Sequence, residues 1–229
     1  MTSNSNRPDA VRDQRSAFVR FATLLVVVLC IAAMAGTLAC KSDLERAQEH
    51  FAAGQEFDDA GENASAIAEY TEAVKLDPGH YDAYHNRGVI YARLNEPDLA
   101  IDNFNKAIAI NPNIADIHYN RGTAYGSKND HGRAIQDFTK AIELNPSVGQ
   151  YYQSRGLARF LIRRYELAEI DFTSAIEHDP DSEEAYGFRA IVRMILDRPD
   201  EADEDARKAI ELGFDRELLE SELERLRGL

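Results

Sequence analysis

Three of the six histidines, His80, His85 and His118, come closest to the type and spacing of a metal site. Imidazole nitrogens bind Zn²⁺ well, but a site needs three or four ligands held in one geometry. No cysteine lies nearby, and the neighbouring carboxylates follow positions that face solvent in a helical pattern. The sequence therefore favours single surface histidines, and it predicts no metal and no cofactor.

The chain carries no short motif of a known catalytic chemistry. It lacks HExxH, GxSxG, the phosphate-binding GxxxxGK[ST] and a strand-led GxGxxG. Its only cysteines, Cys30 and Cys40, precede the part that reads as a folded domain, so that domain has no disulfides and no thiolate ligands. We expect no catalytic residue, no enzymatic activity and no small-molecule substrate.

Cys40 is the residue best placed for a covalent modification. It ends the segment TLAC (37–40), which resembles the bacterial lipobox, where a small residue precedes a cysteine that receives a lipid and becomes the new N terminus. Residues 1–20 carry four Arg, and residues 21–39 are uncharged, as in an export signal whose basic end stays in the cytoplasm. The resemblance implies lipidation of Cys40 and a tether over residues 40–46.

Two other fates of this leader stay open. Residues 21–39 would span about 28 Å at ~1.5 Å per residue, so they could remain as an uncleaved membrane anchor. Ordinary cleavage after a small residue would instead release the domain. In all three cases we expect the chain after Cys40 to lie outside the cytoplasmic membrane, on the periplasmic or extracellular side.

The chain after Cys40 is strongly acidic. Four Arg and two Asp precede Cys40, which leaves 22 basic and 38 acidic side chains and a net charge of −16. A domain with this charge repels phosphate backbones and anionic lipids. We therefore exclude nucleic acid as a partner, and we expect the domain to stand away from the membrane that holds its N terminus.

Most of the chain repeats with a period of 34 residues, in units that start at Ala47, Tyr81, Ala115, Gly149 and Glu183. The residues at positions 8, 20 and 27 of each unit are small. In most units the residue at position 24 is aromatic and the residue at position 32 is proline. The central members of these columns are Gly88, Gly122 and Gly156, then Ala100, Ala134 and Ala168, then Phe104, Phe138 and Phe172, and finally Pro112, Pro146 and Pro180.

Each unit has two helical patterns separated by a polar break such as LNEPD (94–98). We expect the small residues to let the two helices approach, the aromatic residue to fill the gap between units, and proline to end the second helix. The pattern resembles the tetratricopeptide repeat, which implies an all-α solenoid of helix–turn–helix units. The units are residues 47–80, 81–114, 115–148, 149–182 and 183–214.

Residues 215–229 form a further helical pattern after the last unit. Leu218, Leu219, Leu223 and Leu226 lie along one face of it. Because the last unit of a solenoid exposes an apolar side, we expect this segment to be a capping helix.

Position 7 of the repeat, usually leucine in the family, is here a column of arginines: Arg87, Arg121, Arg155 and Arg189. Position 23 is mostly acidic: Glu69, Asn103, Asp137, Asp171 and Asp205. We expect the two columns to pair as a ladder. The first unit has no such Arg, which hints at pairing between neighbouring units, although pairing inside each unit fits the count equally. A row of arginines could also bind a carboxylate of a ligand.

In this family, positions 2, 5, 9, 12 and 13 of each unit face the concave groove. The resemblance therefore assigns partner binding to Asp82, His85, Val89, Asp116, Tyr119, Thr123, Gln153, Leu157, Phe160, Leu161, Ile191, Met194 and Ile195. This groove is mixed and polar in units two and three and apolar in units four and five. The apolar side chains either anchor a protein or peptide ligand or serve packing, including packing under the capping helix.

Some relatives bind chaperone tails with Lys at position 5 and Asn at position 9. Unit two has His85 and Val89 at these positions, and unit three has Tyr119 and Thr123. We therefore do not predict binding of chaperone tails for this chain. The chain is similar to bacterial envelope lipoproteins of this repeat class, which act as adaptors for proteases, cell-wall enzymes or pilus assembly. The resemblance implies a membrane-tethered adaptor; a membrane-spanning scaffold is the main alternative, and a metal-binding or enzymatic repeat protein fits the motifs least.

Overall fold

The structure is a computed structural model that describes residues 41–228, and all regular secondary structure in this part is α-helical. The helices are α1 (Asp43–Asp59), α2 (Asn63–Leu76), α3 (Tyr81–Arg93), α4 (Pro97–Ile110), α5 (Ala115–Ser127), α6 (His131–Leu144), α7 (Gly149–Leu161), α8 (Tyr165–His178), α9 (Glu183–Ile195), α10 (Pro199–Leu212) and α11 (Arg216–Arg227). The all-α fold expected from the repeat is confirmed.

The predictions for residues 1–40, including the lipid on Cys40, lie outside the described part of the chain. From residue 41 to residue 228, no helix is both long enough and apolar enough to cross a bilayer.

Helix α1 begins before the first repeat unit, at Asp43 rather than at Ala47. Its start is a capping box, in which Ser42 Oγ accepts from the Glu45 amide (3.2 Å) and Glu45 Oε2 accepts from the Ser42 amide (2.8 Å). These two bonds satisfy amide groups that a first turn leaves unpaired. The last residues of the expected tether, 43–46, are therefore helical.

Helices alternate along a stack within the compact unit Ala47–Leu229. Each first helix packs on the second helix of its own unit and on the second helix of the unit before it. The first helices also contact one another, α3 with α5, α5 with α7 and α7 with α9. They form one continuous surface, which we call the first-helix face.

The second helices of units one to four end at the same dipeptide, an Asp or Asn followed by proline: Asp77-Pro78, Asn111-Pro112, Asn145-Pro146 and Asp179-Pro180. The residue before proline is forced out of the helical region, and these four have φ between −126° and −144°. Each also accepts a hydrogen bond from the amide two residues later, at 2.9–3.3 Å. Proline and the Asx turn together end the helix.

The aromatic residue at position 24 packs on the glycine at position 8 of its own unit. A Cβ atom on the glycine would lie 2.7–3.0 Å from the ring in the pairs Gly88–Phe104, Gly122–Phe138 and Gly156–Phe172. The same rings also contact the next unit, since Phe138 clusters with Ala158 and Phe172 with Val192. The aromatic side chains therefore pack inside each unit as well as between units. Only the packing between units was expected.

Helix α11 covers the apolar end of unit five. Leu219 and Leu223 are buried in a cluster that includes Met194, and Leu226 packs against that cluster. Leu218 is 62% exposed. The expected capping helix is present, but only three of the four leucines assigned to its apolar face contact the core.

Candidate functional site

The arginine column pairs with the acidic column inside each unit. In unit three, Arg121 donates to both carboxylate oxygens of Asp137 at 2.7 and 2.8 Å. The same bidentate pair recurs between Arg155 and Asp171 (2.8–3.2 Å) and between Arg189 and Asp205 (2.7–2.8 Å), whereas Arg87 makes a single bond of 2.8 Å to Asn103. The hint that these pairs run between neighbouring units was wrong.

Each of these guanidinium groups nevertheless reaches the preceding unit. Its Nη1 donates to the polar side chain at position 25 of that unit, as in Arg121 to Asn105 Oδ1 (2.6 Å) and Arg189 to Thr173 Oγ1 (3.1 Å). The sequence alone did not indicate a role for this column, which consists of Thr71, Asn105, Thr139 and Thr173. Since the donors are used within the protein, the column is a structural ladder and not a row of free ligand sites.

The first unit has no arginine at position 7, and a histidine pairs with its acidic residue instead. His50 Nδ1 lies 2.6 Å from Glu69 Oε2, so the acid at position 23 of unit one also has a basic partner. A rule drawn from the arginine column alone could not find this pair, because His50 occupies position 4 and not position 7.

Burial and pairing act on the ladder carboxylates in opposite directions. Burial opposes ionisation of Asp137, but the hydrogen bonds and charge of Arg121, together with the nearby His118, outweigh it and lower the pKa of this carboxyl group. The same hydrogen bonds raise the pKa of Arg121. Both groups therefore stay charged at neutral pH, which keeps the bidentate pair intact.

A groove of about 290 Å³ lies on the first-helix face between α5 and α7. Its lining residues are Tyr119, Thr123, Gly126, Ser127, His131, Phe138, Ser154, Leu157, Ala158 and Leu161. Leu161 is 53% exposed although it is a large apolar side chain. Leu161 adjoins Leu157 and Tyr119 in this groove, and a contiguous apolar patch is typical of a surface that another molecule covers.

The groove combines residues from two units that were expected to differ in polarity. Tyr119 and Thr123 of unit three, assigned to a polar stretch, face Leu157 and Leu161 of unit four, assigned to an apolar stretch. The apolar surface therefore lies between units three and four and not along units four and five. Periodicity predicts which residues face the groove but not how neighbouring units combine there.

A larger cleft, of about 810 Å³, lies between α10 and α11. Its lining is mainly charged, and its charges pair with each other, as in Arg216 with Glu220 (3.0 Å) and Arg227 with Asp203. Satisfied surface ion pairs offer a ligand little gain in free energy. We therefore take the smaller, more apolar groove as the candidate site.

Several predicted partner-binding residues make internal hydrogen bonds instead. Tyr151 donates its hydroxyl to Asp116, and burial together with this bond raises the pKa of Tyr151. Ser182 Oγ bonds to Gln153 Oε1 at 3.0 Å. Asp82, Val89, Ile191 and Ile195 lie half-buried on α3 and α9, outside the groove between α5 and α7.

Met194 and Phe160 do not line this groove. Met194 is 8% exposed because α11 covers it, so its assignment to an exposed binding surface was wrong. Phe160 is half-buried between units, with ring centroids 5.8 Å from Tyr165 and 6.3 Å from Phe188. The alternative reading, in which these side chains serve packing, is the one that fits their positions.

The histidines considered as metal ligands have separate surroundings. His80 caps α3 by accepting from the Ala83 amide (3.3 Å), and His118 Nε2 bonds to the Pro112 carbonyl (2.9 Å). Asn120 donates to His85 Nε2 (2.9 Å), and burial lowers the pKa of His85. Within residues 41–228 no group of three or more His, Cys, Asp or Glu side chains is placed to bind a metal ion.

Comparison with known families identifies the repeat. Residues 81–114 and 115–148 each match the family model described as tetratricopeptide repeat, and residues 54–95 match a second model described as TPR repeat. No curated protein sequence matches the chain significantly.

Solved structures with the same fold are numerous. A crystal structure of MamA protein shares 23% identity with a TM-score of 0.70, over 73% of this chain and 92% of that one. YrrB, described as a TPR protein with an unusual peptide-binding site, shares 23% identity with a TM-score of 0.67, over 74% of this chain and 88% of that one. PilF of Pseudomonas aeruginosa shares 19% identity with a TM-score of 0.69, over 82% and 87% of the two chains. At these identities the likeness establishes the fold alone.

Proposed function

We propose that this chain, which is a tetratricopeptide repeat protein, is an adaptor that binds a segment of another protein in the groove between α5 and α7. The observation that carries the proposal is the exposure of Leu161 beside Leu157 and Tyr119 in one concave surface. Affinity at protein interfaces is concentrated in a few apolar or aromatic anchors that fill such pockets. The groove would be the pocket for one anchor side chain of the partner.

The size of the groove favours a peptide segment over a small-molecule ligand. Pockets for drug-sized ligands have volumes of about 300–1,000 Å³ and enclose most of the ligand. This groove, at about 290 Å³, lies at the lower limit, and its lining residues are spread along α5 and α7. YrrB, whose fold is similar, is described as having a peptide-binding site, which supports the same use here.

The polar groups of the groove favour binding over catalysis. Thr123 Oγ1 donates to the Tyr119 carbonyl (3.1 Å), and Ser127 Oγ donates to the Ala124 carbonyl (2.9 Å). A nucleophilic hydroxyl needs a base that accepts its proton, but these two protons are held by backbone carbonyls, and the third groove hydroxyl, Ser154 Oγ, donates to the Tyr119 hydroxyl (3.5 Å). We therefore propose that the protein acts as a scaffold and not as an enzyme.

The adaptor would be tethered to a bacterial envelope membrane through a lipid on Cys40. Support for this step comes from the sequence TLAC, the uncharged segment 21–39 and the basic residues before it. Substitution Cys40→Ser should abolish incorporation of labelled fatty acid and leave a longer precursor. A mature wild-type protein whose mass still includes residues 1–39 would contradict lipidation and favour the uncleaved anchor.

Exchange of Leu161 for Asp tests the proposed groove. A carboxylate in place of this half-exposed side chain should prevent an apolar anchor from entering, while leaving the buried core unchanged. The matched control is Leu218→Asp on α11, since Leu218 is exposed to a similar extent (62%) but lies outside the groove. Both variants should melt like the wild type in circular dichroism.

The readout is a crosslinking pull-down from membranes with the full-length protein as bait. We expect the wild type and Leu218→Asp to retain the same partner band and Leu161→Asp to lose it. A partner band of equal strength in all three samples would contradict the proposed site.

A further inference from the structure

The turn between α7 and α8 differs from the equivalent turns of the other units. Position 15 has a positive φ in every unit, and it is Gly61, Asn95, Asn129 and Asp197 in units one, two, three and five. In unit four it is Arg163, with φ 61°. Gly, Asn and Asp tolerate left-handed backbone, whereas a long side chain there is unfavourable. Arg163 therefore weakens the turn in which it lies.

The residue after it, Arg164, is also locally unfavourable. It precedes the first turn of α8, makes no side-chain cap hydrogen bond and places a positive charge at the positive end of the helix dipole. Units one to three have acids at this position, namely Glu62, Glu96 and Asp130. Unit five has Arg198, but that arginine is ion-paired with Glu169 (2.7 Å) and Glu201 (2.5 Å).

Neither Arg163 nor Arg164 has a hydrogen bond or ion pair from its side chain to any residue between 41 and 228. This is unusual in a domain whose acidic side chains outnumber its basic ones by 38 to 22. Two adjacent arginines thus reduce local stability and form no ion pair with residues 41–228, and the nearby Arg159 repels Arg164. A function outside the fold is the simplest physical account of both.

The two arginines follow the last groove residue, Leu161, by two and three positions in the chain. Leu161 lines the groove and is the last residue of α7, and Ile162, which is 38% exposed, follows it directly. A chain segment that places an apolar side chain in the groove near Leu161 therefore approaches the two free guanidinium groups next. Guanidinium groups bind carboxylates through two parallel hydrogen bonds, which gives them specificity for acidic side chains.

We propose that the partner segment is an apolar anchor followed by acidic residues, and that Arg163 and Arg164 select it by pairing with those carboxylates. This inference rests on the proposed function of the groove and defines the class of its ligand. An anionic membrane surface is the less suitable occupant, because it extends over the whole domain and meets its strong negative charge, whereas a short acidic segment lies mainly within the screening length of the two arginines.

The test uses the full-length protein and two matched sets of short fluorescent peptides, with Leu or Phe followed by either two Asp or two Asn. The wild type should bind the acidic set about three- to tenfold more tightly. The double variant Arg163→Asn, Arg164→Asn should lose this preference and keep its affinity for the neutral set. Arg163→Lys, which keeps the charge, should keep most of the preference.

Thermal melting separates this role from a structural one. Arg163→Asn restores the residue type of units two and three, so its Tm should rise by about 1–3 °C while acidic-peptide binding weakens. The control Asp197→Asn changes the same turn position in unit five. It should not alter the preference for acidic over neutral peptides.

Equal affinity of the wild type for both peptide sets, or an undiminished preference in the double variant, would overturn this inference and leave the groove intact. If no peptide binds, or if Leu161→Asp has no effect on binding, the proposed function fails as well. If vesicles of phosphatidylglycerol and phosphatidylethanolamine bind the wild type but not the double variant, and peptides show no preference, the surface recognises lipid and the inference is wrong.

Discussion

The contact between Gly122 and Phe138 sets the distance between the two helices of unit three. A Cβ atom at this glycine would lie 2.8 Å from the ring, whereas a Cβ atom at Gly126, in the same helix, would have nothing within 4 Å. The two glycines therefore have different reasons to be present. Only the first is required by packing, and this difference makes them a matched pair.

Gly122→Ala should destabilise the protein, although alanine favours helix more than glycine does. Over-packing costs about 1–3 kcal/mol and the helix propensity of alanine offsets roughly 1 kcal/mol of it. Gly126→Ala should stabilise by about 0.5–1 kcal/mol, because no clash opposes the propensity gain. Chemical denaturation measures both free energies of unfolding. Equal changes in the free energy of unfolding of the two variants would mean that the contact at position 8 does not limit how closely the two helices approach.

Asp137→Asn tests the ladder through its pH dependence. The variant keeps one acceptor for Arg121, as Asn103 does for Arg87, and should be less stable than the wild type by about 1–3 kcal/mol at pH 7. Because the folded pKa of Asp137 is lowered, this difference is present above the unfolded pKa of about 3.9 and is lost as pH falls through the folded pKa.

The control for this measurement is Asp102→Asn, which removes an exposed pair with Lys106. Its effect should be small, within about 1 kcal/mol at pH 7. A stability difference for Asp137→Asn that persists unchanged to low pH would contradict the account of a charged ladder.

At the residue scale, the sequence predicts which residue types occupy a repeat position, but it does not predict which of those side chains pair with each other. The sequence places Arg121 seven residues into its unit and an acid at position 23 of every unit but one, so either a within-unit or a between-unit pair satisfies the count. Only the three-dimensional arrangement distinguishes them. The role of His50 was equally hidden, since it replaces an arginine from a different position in the helix.

At the scale of helices, the repeat predicts where the helices lie. It does not predict which side chains are exposed in the last unit of the stack. The first helices of units two to five begin at Tyr81, Ala115, Gly149 and Glu183, where the repeat units begin. Met194 illustrates the limit, because its repeat position faces the groove in the family while α11 covers it here. A capping helix lies outside the repeat, so the period carries no information on what it covers.

The capping helix should contribute to stability through its buried leucines. Leu219→Ala should reduce the free energy of unfolding by about 2–5 kcal/mol, because Leu219 is fully buried in the cluster beneath α11. The neighbouring exchange Leu218→Ala should change it by less than about 0.5 kcal/mol. Thermal and chemical unfolding of both variants measure the difference. Similar losses from the two leucines would mean that α11 does not pack as described.

At the scale of the whole molecule, stacking creates a surface that no single unit contains. The groove needs Tyr119 from unit three and Leu157 and Leu161 from unit four in register. All three were predicted from the sequence to bind the partner, but Tyr119 was assigned to the mixed and polar units and the two leucines to the apolar units. Their juxtaposition depends on how the units stack, which residue periodicity does not specify.

Site-specific photocrosslinking in intact cells tests the central claim most directly. A photoreactive amino acid at position 161, in the groove, should form a discrete adduct with one partner protein. The same amino acid at position 218, equally exposed on α11, should not. Adducts of the same partner from both positions, or from position 218 alone, would contradict the claim that the groove between α5 and α7 is where this protein binds its partner.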